Sequence, residues 1–174
     1  MKLKGKKAAI LVEEMYNELE LWIPYYRLKE EGVEVTVVGT GTASTYRGKY
    51  GIPVEVDRKA SEVTPDDFDA VVIPGGYAPD KMRLHSEMVS LVRDMFNKGK
   101  VVASICHAGW MLVSAGILHG KRATSYVAIK DDMMNAGAKW EDSELVRDGN
   151  LITSRKPDDL PAFCRTIIQA MGEG

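Results

Sequence analysis

Cysteine is scarce in this chain, with only Cys106 and Cys164 among 174 residues and no CxxC spacing between them. That excludes a disulfide framework and points to a reducing, cytoplasmic setting. Histidine is equally sparse at three residues, and no second Cys/His cluster accompanies the adjacent pair Cys106-His107. A structural zinc site takes three or four such ligands, so no metal is expected. Long apolar runs are also missing: nothing approaches the roughly 18 residues of a membrane-spanning helix. The basic start, Met1 to Lys7, leads into an apolar stretch, Ala8 to Val12, that Glu13-Glu14 breaks at once, unlike an export signal. Nor does one sign of charge dominate. With a formal net charge of −2 and its Lys and Arg scattered, the chain carries no electrostatic footprint for nucleic acid or an acidic membrane. Internal repeats, low-complexity stretches and linkers are absent, and 45% hydrophobic with 28% charged residues fits one globular domain over residues 1–174.

What is present alternates between two periodicities. Short apolar, β-branched runs at Lys7 to Val12, Val33 to Val38, Asp69 to Ile73 and Lys100 to Ile105 read as buried strands. Between them, helical spacing covers Asn17 or Glu18 to Glu31, with Pro24 expected to kink it, then Arg83 to Lys98, and His107 to Ala115 with Gly116 as its stop. Gly39 to Gly51 reads as a polar loop, Ile52 to Val56 as an edge strand or hairpin, and Thr64 to Phe68 as a helical turn. Further on, Arg122 to Val127 reads as a strand and Ile129 to Asn135 as a short helix. Trp140 to Val146 and Leu151 to Ser154 form a hairpin about Asp148-Gly149, and a last helix runs from Pro157 to about Met171. Strands alternating with helices predict a mostly parallel sheet covered on both faces.

In such a sheet, ligands bind at the carboxyl ends of the strands, and two strand ends carry chemistry. Cys106 stands where the run Val101 to Ile105 stops and a helix begins, which is where a nucleophile is exposed. A helix start there aims free N–H groups at the thiol and favours thiolate. His107 follows directly and is the side chain suited to moving a proton near neutral pH, provided that a tight, irregular turn lets the neighbours face each other. Pro74-Gly75-Gly76 ends another buried strand, and its glycines allow backbone N–H groups to approach an oxyanion. The acidic cluster Glu13, Glu14, Glu18 and Glu20 reads mainly as solvated helix-start charge. Glu20 is the member placed to turn inward, where desolvation would keep it protonated. Cys164 falls in the apolar pattern of the last helix and reads as a core thiol.

With these residues in place, the chain resembles the ThiJ/PfpI superfamily, nearest to its PfpI-type branch. The likeness is collinear and runs through Ile23 to Gly32, Val72 to Asp80, Ala103 to His107, Thr124-Ser125-Tyr126 with Lys130 to Met133, and Thr153-Ser154-Arg155 with Pro157 and Asp159. The resemblance implies a flavodoxin-like three-layer sandwich, related to class I glutamine amidotransferases, with a nucleophile elbow at Cys106. It implies that Cys106 is the nucleophile, that the N–H groups of Gly76 and His107 form the oxyanion hole, and that Glu20 hydrogen-bonds the cysteine. It also implies that Asp80 reaches the histidine across a subunit interface, so that the site is completed in a dimer or higher homo-oligomer.

Three positions depart from the family pattern. Asp80 replaces the usual glutamate and is one methylene shorter, Asn17 replaces a glutamate, and Ala108-Gly109-Trp110 replaces a common Gly-Pro. The first two weaken a peptidase reading more than they weaken nucleophilic reactivity. The expected function is therefore cofactor-free cysteine attack on methylglyoxal, glyoxal or their protein adducts, of the deglycase or glyoxalase III kind, with peptidase or amidase activity as the neighbouring family label. The alternative from another class is a redox-responsive stress protein or chaperone that senses oxidation at Cys106. An amidotransferase ranks last, because no distal His-x-Glu pair follows the elbow.

Overall fold

The most apolar runs of the sequence form the middle of one sheet. In the computed structural model, which describes residues 1–174, the chain runs through β1 (Lys7–Val12), α1 (Glu18–Glu30), β2 (Glu34–Gly39), β3 (Thr45–Arg47), β4 (Pro53–Glu55), β5 (Arg58–Lys59) and β6 (Ala70–Ile73). It continues through α2 (Ala78–Met82), α3 (Ser86–Asn97), β7 (Val101–Ile105), α4 (Gly109–Ala115), β8 (Arg122–Ala123), α5 (Lys130–Asn135), β9 (Lys139–Trp140), β10 (Val146–Asp148), β11 (Leu151–Ser154) and α6 (Leu160–Gly172). Seven strands pair in the order β10-β11-β7-β6-β1-β2-β5, all parallel except the β10–β11 hairpin. β6 and β7 are buried along their whole length, as the centre of a parallel sheet covered by helices requires. α1 packs against α6, and α3 against α4, giving the helical layers of a flavodoxin-like sandwich. Cys164 lies buried within α6.

Several local readings change. α1 is one helix through Pro24: the proline forfeits a single N–H bond, while burial of Leu21, Pro24 and Leu28 holds the rest. Arg83 to Lys98 is not one helix, because extended backbone at His85 separates the end of α2 from α3. The strand expected over Arg122 to Val127 stops at Ala123. Thr124 N–H donates to Thr153 Oγ1 at 2.9 Å and Tyr126 N–H to the Cys106 carbonyl at 3.2 Å, so this backbone is spent outside any ladder. Trp140 pairs in parallel with Ala123, which leaves only Val146–Asp148 for the hairpin. Within the expected Gly39 to Gly51 loop, β3 pairs antiparallel with β4.

The order of the central strands brings three chain exits to one rim: Glu13 to Asn17 after β1, Pro74 to Gly76 after β6, and Cys106 after β7. Tyr16 bridges Gly76, Asn17 N–H donates to the Gly75 carbonyl at 3.1 Å, and Tyr77 N–H donates to the Met15 carbonyl at 2.9 Å. The chain's two non-glycine residues with positive φ, Met15 at 66° and Cys106 at 61°, both lie here. Such backbone costs about 1–3 kcal/mol per residue and persists only where its surroundings hold it. Gly76, at φ 79°, has no room for a side chain: a Cβ would fall 2.6 Å from both Asn17 N and the Met15 carbonyl.

Gly76→Ala should therefore lower the urea midpoint far more than Gly116→Ala. The latter replaces a left-handed glycine (φ 69°) with nothing within 4 Å of the added methyl, and its expected cost is about 1 kcal/mol. Equal losses in denaturant melts would show that the rim is not tightly packed.

Candidate functional site

The elbow gives the candidate nucleophile its geometry. β7 ends at Ile105, the chain turns through a left-handed Cys106, and a 3-10 turn over Cys106–Ala108 leads into α4. This is the irregular turn that lets neighbouring side chains meet, and Cys106 Sγ lies 3.3 Å from His107 Nδ1. The imidazole is fixed by two rings: Tyr126 stacks on it at 5.0 Å between centroids and 29° between planes, and Trp110 meets it edge-on at 5.3 Å. Burial, then the positive charge of Lys49, holds His107 below the usual imidazole pKa. The ring is thus neutral at pH 7 and able to accept a proton.

Glu20 enters from below. It lies one turn into α1, whose first N–H groups are capped by Asn17: Oδ1 accepts from Leu19 N–H at 3.0 Å and Glu20 N–H at 3.3 Å. The carboxyl is fully buried, with Oε1 accepting from Gly75 N–H at 2.9 Å and Oε2 left without a partner. A Cβ on Gly75 would fall 2.6 Å from that Oε1 and 2.8 Å from Cys106 Cβ, so the glycine is what allows carboxyl and cysteine to approach. No hydrogen bond joins Glu20 to Cys106; the contact between them is electrostatic. Burial raises Glu20 from 4.5 to about 7, with the Gly75 N–H pulling the other way. Burial and then the charge on Glu20 push the Cys106 thiol up to about 12, against the N–H groups of His107 and Gly76. The expectation that a helix start favours thiolate is corrected: the two N–H groups do act on the sulfur, but burial and the carboxylate outweigh them.

Cys106, His107, Glu20 and Gly76 come together. Asp80 does not join them within one chain: it is exposed on α2, and its carboxylate makes no hydrogen bond or ion pair there. A cavity of about 400 Å³ opens over the thiol, lined also by Asn17, Lys49, Tyr50, Tyr77, Tyr126, Lys156 and Pro157. No motif or periodicity gives those lysines and tyrosines a role. Lys49-Tyr50 lies in the supposed polar loop, and only Tyr77, following Gly76, and Tyr126, in a block of the family resemblance, carried a signal.

The acidic cluster is also revised, since Glu13 and Glu18 are buried, not solvated. Glu18 Oε2 accepts from Tyr50 N–H at 2.9 Å and Ile52 N–H at 3.1 Å, which ties the turn after β3 to the start of α1. Glu13 accepts from Glu14 N–H and from the hydroxyls of Thr40 and Thr42. Burial works to raise its pKa, but these bonds prevail and hold it below the usual range.

Comparison with known proteins agrees with this geometry. Residues 6–170 match the sequence profile of the DJ-1/PfpI family. A protein of Pyrococcus abyssi named a deglycase is 48% identical over 165 residues, covering 95% of this chain and 99% of that protein. Protein/nucleic acid deglycase 2 of Escherichia coli is 39% identical over 170 residues, covering 97% and 99%. Among solved structures, a two-domain Anabaena variabilis protein with DJ-1/ThiJ/PfpI-like and ferritin-like domains superposes with a TM-score of 0.94 at 46% identity. That match covers 96% of this chain and 48% of the longer one.

Glu20 has a pKa of 4.5 unfolded and about 7 folded. Its contribution to stability is complete below pH 4.5 and is lost as pH rises through about 7, a loss of roughly 3 kcal/mol. Denaturant melts of wild type and Glu20→Gln at pH 4.5 and pH 8 should therefore diverge by about that amount, with the variant gaining at high pH. The pH profile of Cys106 alkylation by iodoacetamide should also move to lower pH in Glu20→Gln, since a neutral amide no longer opposes the thiolate; an unchanged profile would remove Glu20 from the site.

Proposed function

The chain belongs to the DJ-1/PfpI family, and on that footing we propose that it is a PfpI-type deglycase of reducing cytoplasm whose Cys106 attacks the carbonyl of methylglyoxal, glyoxal or their adducts. The observation that carries this reading is the 3.3 Å contact between Cys106 Sγ and a neutral His107 Nδ1 beside a small cavity. A thiol held near 12 is protonated when free, so the nucleophile is made only as it reacts. As sulfur adds to the carbonyl carbon, the thiol proton passes to His107 Nδ1. The electron pair of the broken C=O π bond moves onto oxygen, facing the N–H groups of Gly76 and His107. Methylglyoxal plus one water has the composition of a 2-hydroxy acid, so the overall conversion requires no external oxidant.

His107 Nε2 has no partner within the chain, and the exposed Asp80 carboxylate likewise has none; we assign Asp80 of a neighbouring copy to that nitrogen in a homo-oligomer.

Purified protein should consume methylglyoxal and release it from thiol adducts, and Cys106→Ser should lower turnover at least about a hundredfold. Consumption by the variant at the wild-type rate would sink the assignment. Asp80→Ala and Cys106→Ser chains, each weak alone, should recover part of the activity when mixed into verified hetero-oligomers, and no recovery would place Asp80 outside the site.

A further inference from the structure

Within one chain, the only fixed charges on the cavity wall are two ammonium groups, Lys49 and Lys156, and no carboxylate of that chain lines it. Neither lysine takes part in any of the chain's ion pairs. Lys49 is nevertheless held in place. Its Nζ lies over the rings of Tyr50 at 5.3 Å and Tyr77 at 5.8 Å, within the range of a cation–π contact. Its backbone N–H donates to the Tyr16 carbonyl at 2.9 Å, and Glu18 pins the two N–H groups just beyond it. Gly48 makes that pinning possible, since a Cβ there would fall 2.1 Å from the Glu18 carboxylate carbon. A residue in an exposed turn is thereby fixed at the mouth of the site, and its charge acts on Cys106, His107 and Glu20 alike.

We infer that this cavity selects carbonyl compounds that carry a carboxylate, and that Lys49 is the group that reads it. The inference rests on the deglycase reading for its substrate but not for its binding chemistry. A small cavity with two unpaired ammonium groups and three tyrosine side chains favours a compact anion over a neutral carbonyl of the same size. The 2-hydroxy acid formed from a dicarbonyl carries that charge, as do dicarbonyl adducts on the thiol or amine of a free amino acid.

Alkylation tests the selection without turnover. The Cys106 thiolate attacks the methylene carbon of both iodoacetate and iodoacetamide and expels iodide; the two differ in one carboxylate, and because both react with the same thiolate the ratio of their rate constants is independent of the thiol pKa. For wild type that ratio should exceed the ratio for N-acetylcysteinamide in the same buffer by about threefold to tenfold, and it should fall towards the free-thiol value in high salt. Lys49→Met should lower it by at least about threefold, and Lys49→Arg, which keeps the charge, should retain most of it. A wild-type ratio no higher than that of the free thiol, or one unchanged by Lys49→Met, overturns the inference. Turnover of the methylglyoxal adducts of N-acetylcysteine and of its amide provides the second arm, and the ratio of their kcat/KM values should fall in Lys49→Met alongside the alkylation ratio. If neither adduct nor methylglyoxal is consumed while the alkylation ratio behaves as stated, the deglycase reading fails and the carboxylate selection stands.

Discussion

The rim of the sheet is built around two residues that have no side chain. Gly75 and Gly76 lie where the exits of β1, β6 and β7 press together, and a methyl on either would overlap the backbone of Met15 to Asn17, the Glu20 carboxyl or Cys106. Their backbone performs four tasks at once. Gly75 N–H holds Glu20, the Gly75 carbonyl accepts from Asn17, Gly76 bridges Tyr16, and Gly76 N–H acts on the sulfur. The strained conformations of Met15 and Cys106 survive because this mesh fixes both of their neighbourhoods. Without that close approach, the carboxyl could not lie beneath the thiol.

Placing a carboxyl under a cysteine sets an electrostatic condition on everything above it. Charge on Glu20 makes ionisation of Cys106 harder, and both groups are buried, so the free thiol keeps its proton. Attack on a carbonyl then requires somewhere for the thiol proton to go, and the neutral His107 ring is the one base in contact with the sulfur. Lys49 supports the arrangement from the solvent side: its charge lowers the pKa of all three groups, which favours the ionised sulfur and keeps the imidazole free of a proton.

The parts of this site that were legible in the sequence are those imposed by periodicity and by strand ends. The buried runs of β1, β6 and β7 are unmistakable as sequence, and once a parallel sheet is assumed, Pro74-Gly75-Gly76 and Cys106-His107 can only emerge at its carboxyl edge. Glu20 was legible as a helix-start carboxylate that could face inward, although its bonding to Gly75 in place of the cysteine was not. The break between α2 and α3 and the early end of β8 were hidden, because each depends on where one backbone hydrogen bond goes in three dimensions. Lys49 and Tyr50 were hidden for a related reason. Their turn reads as solvated loop, and what fixes it is a carboxylate some thirty residues earlier, Glu18, whose burial no local pattern announces.

Chemistry and selection therefore come from different parts of the chain. The candidate reactive groups follow the three central strands, where packing tolerates little change. The mouth of the cavity is delivered by the turn between β3 and β4, a two-stranded ribbon outside the main sheet, joined to the site through Glu18 and Tyr16. A ribbon of that kind can vary its exposed residues without disturbing the elbow, whereas Gly48 cannot change without displacing Glu18. The position of a charge such as Lys49 is then held by the same helix start that places Glu20, so one turn of α1 serves both the proton balance of the thiol and the choice of what reaches it.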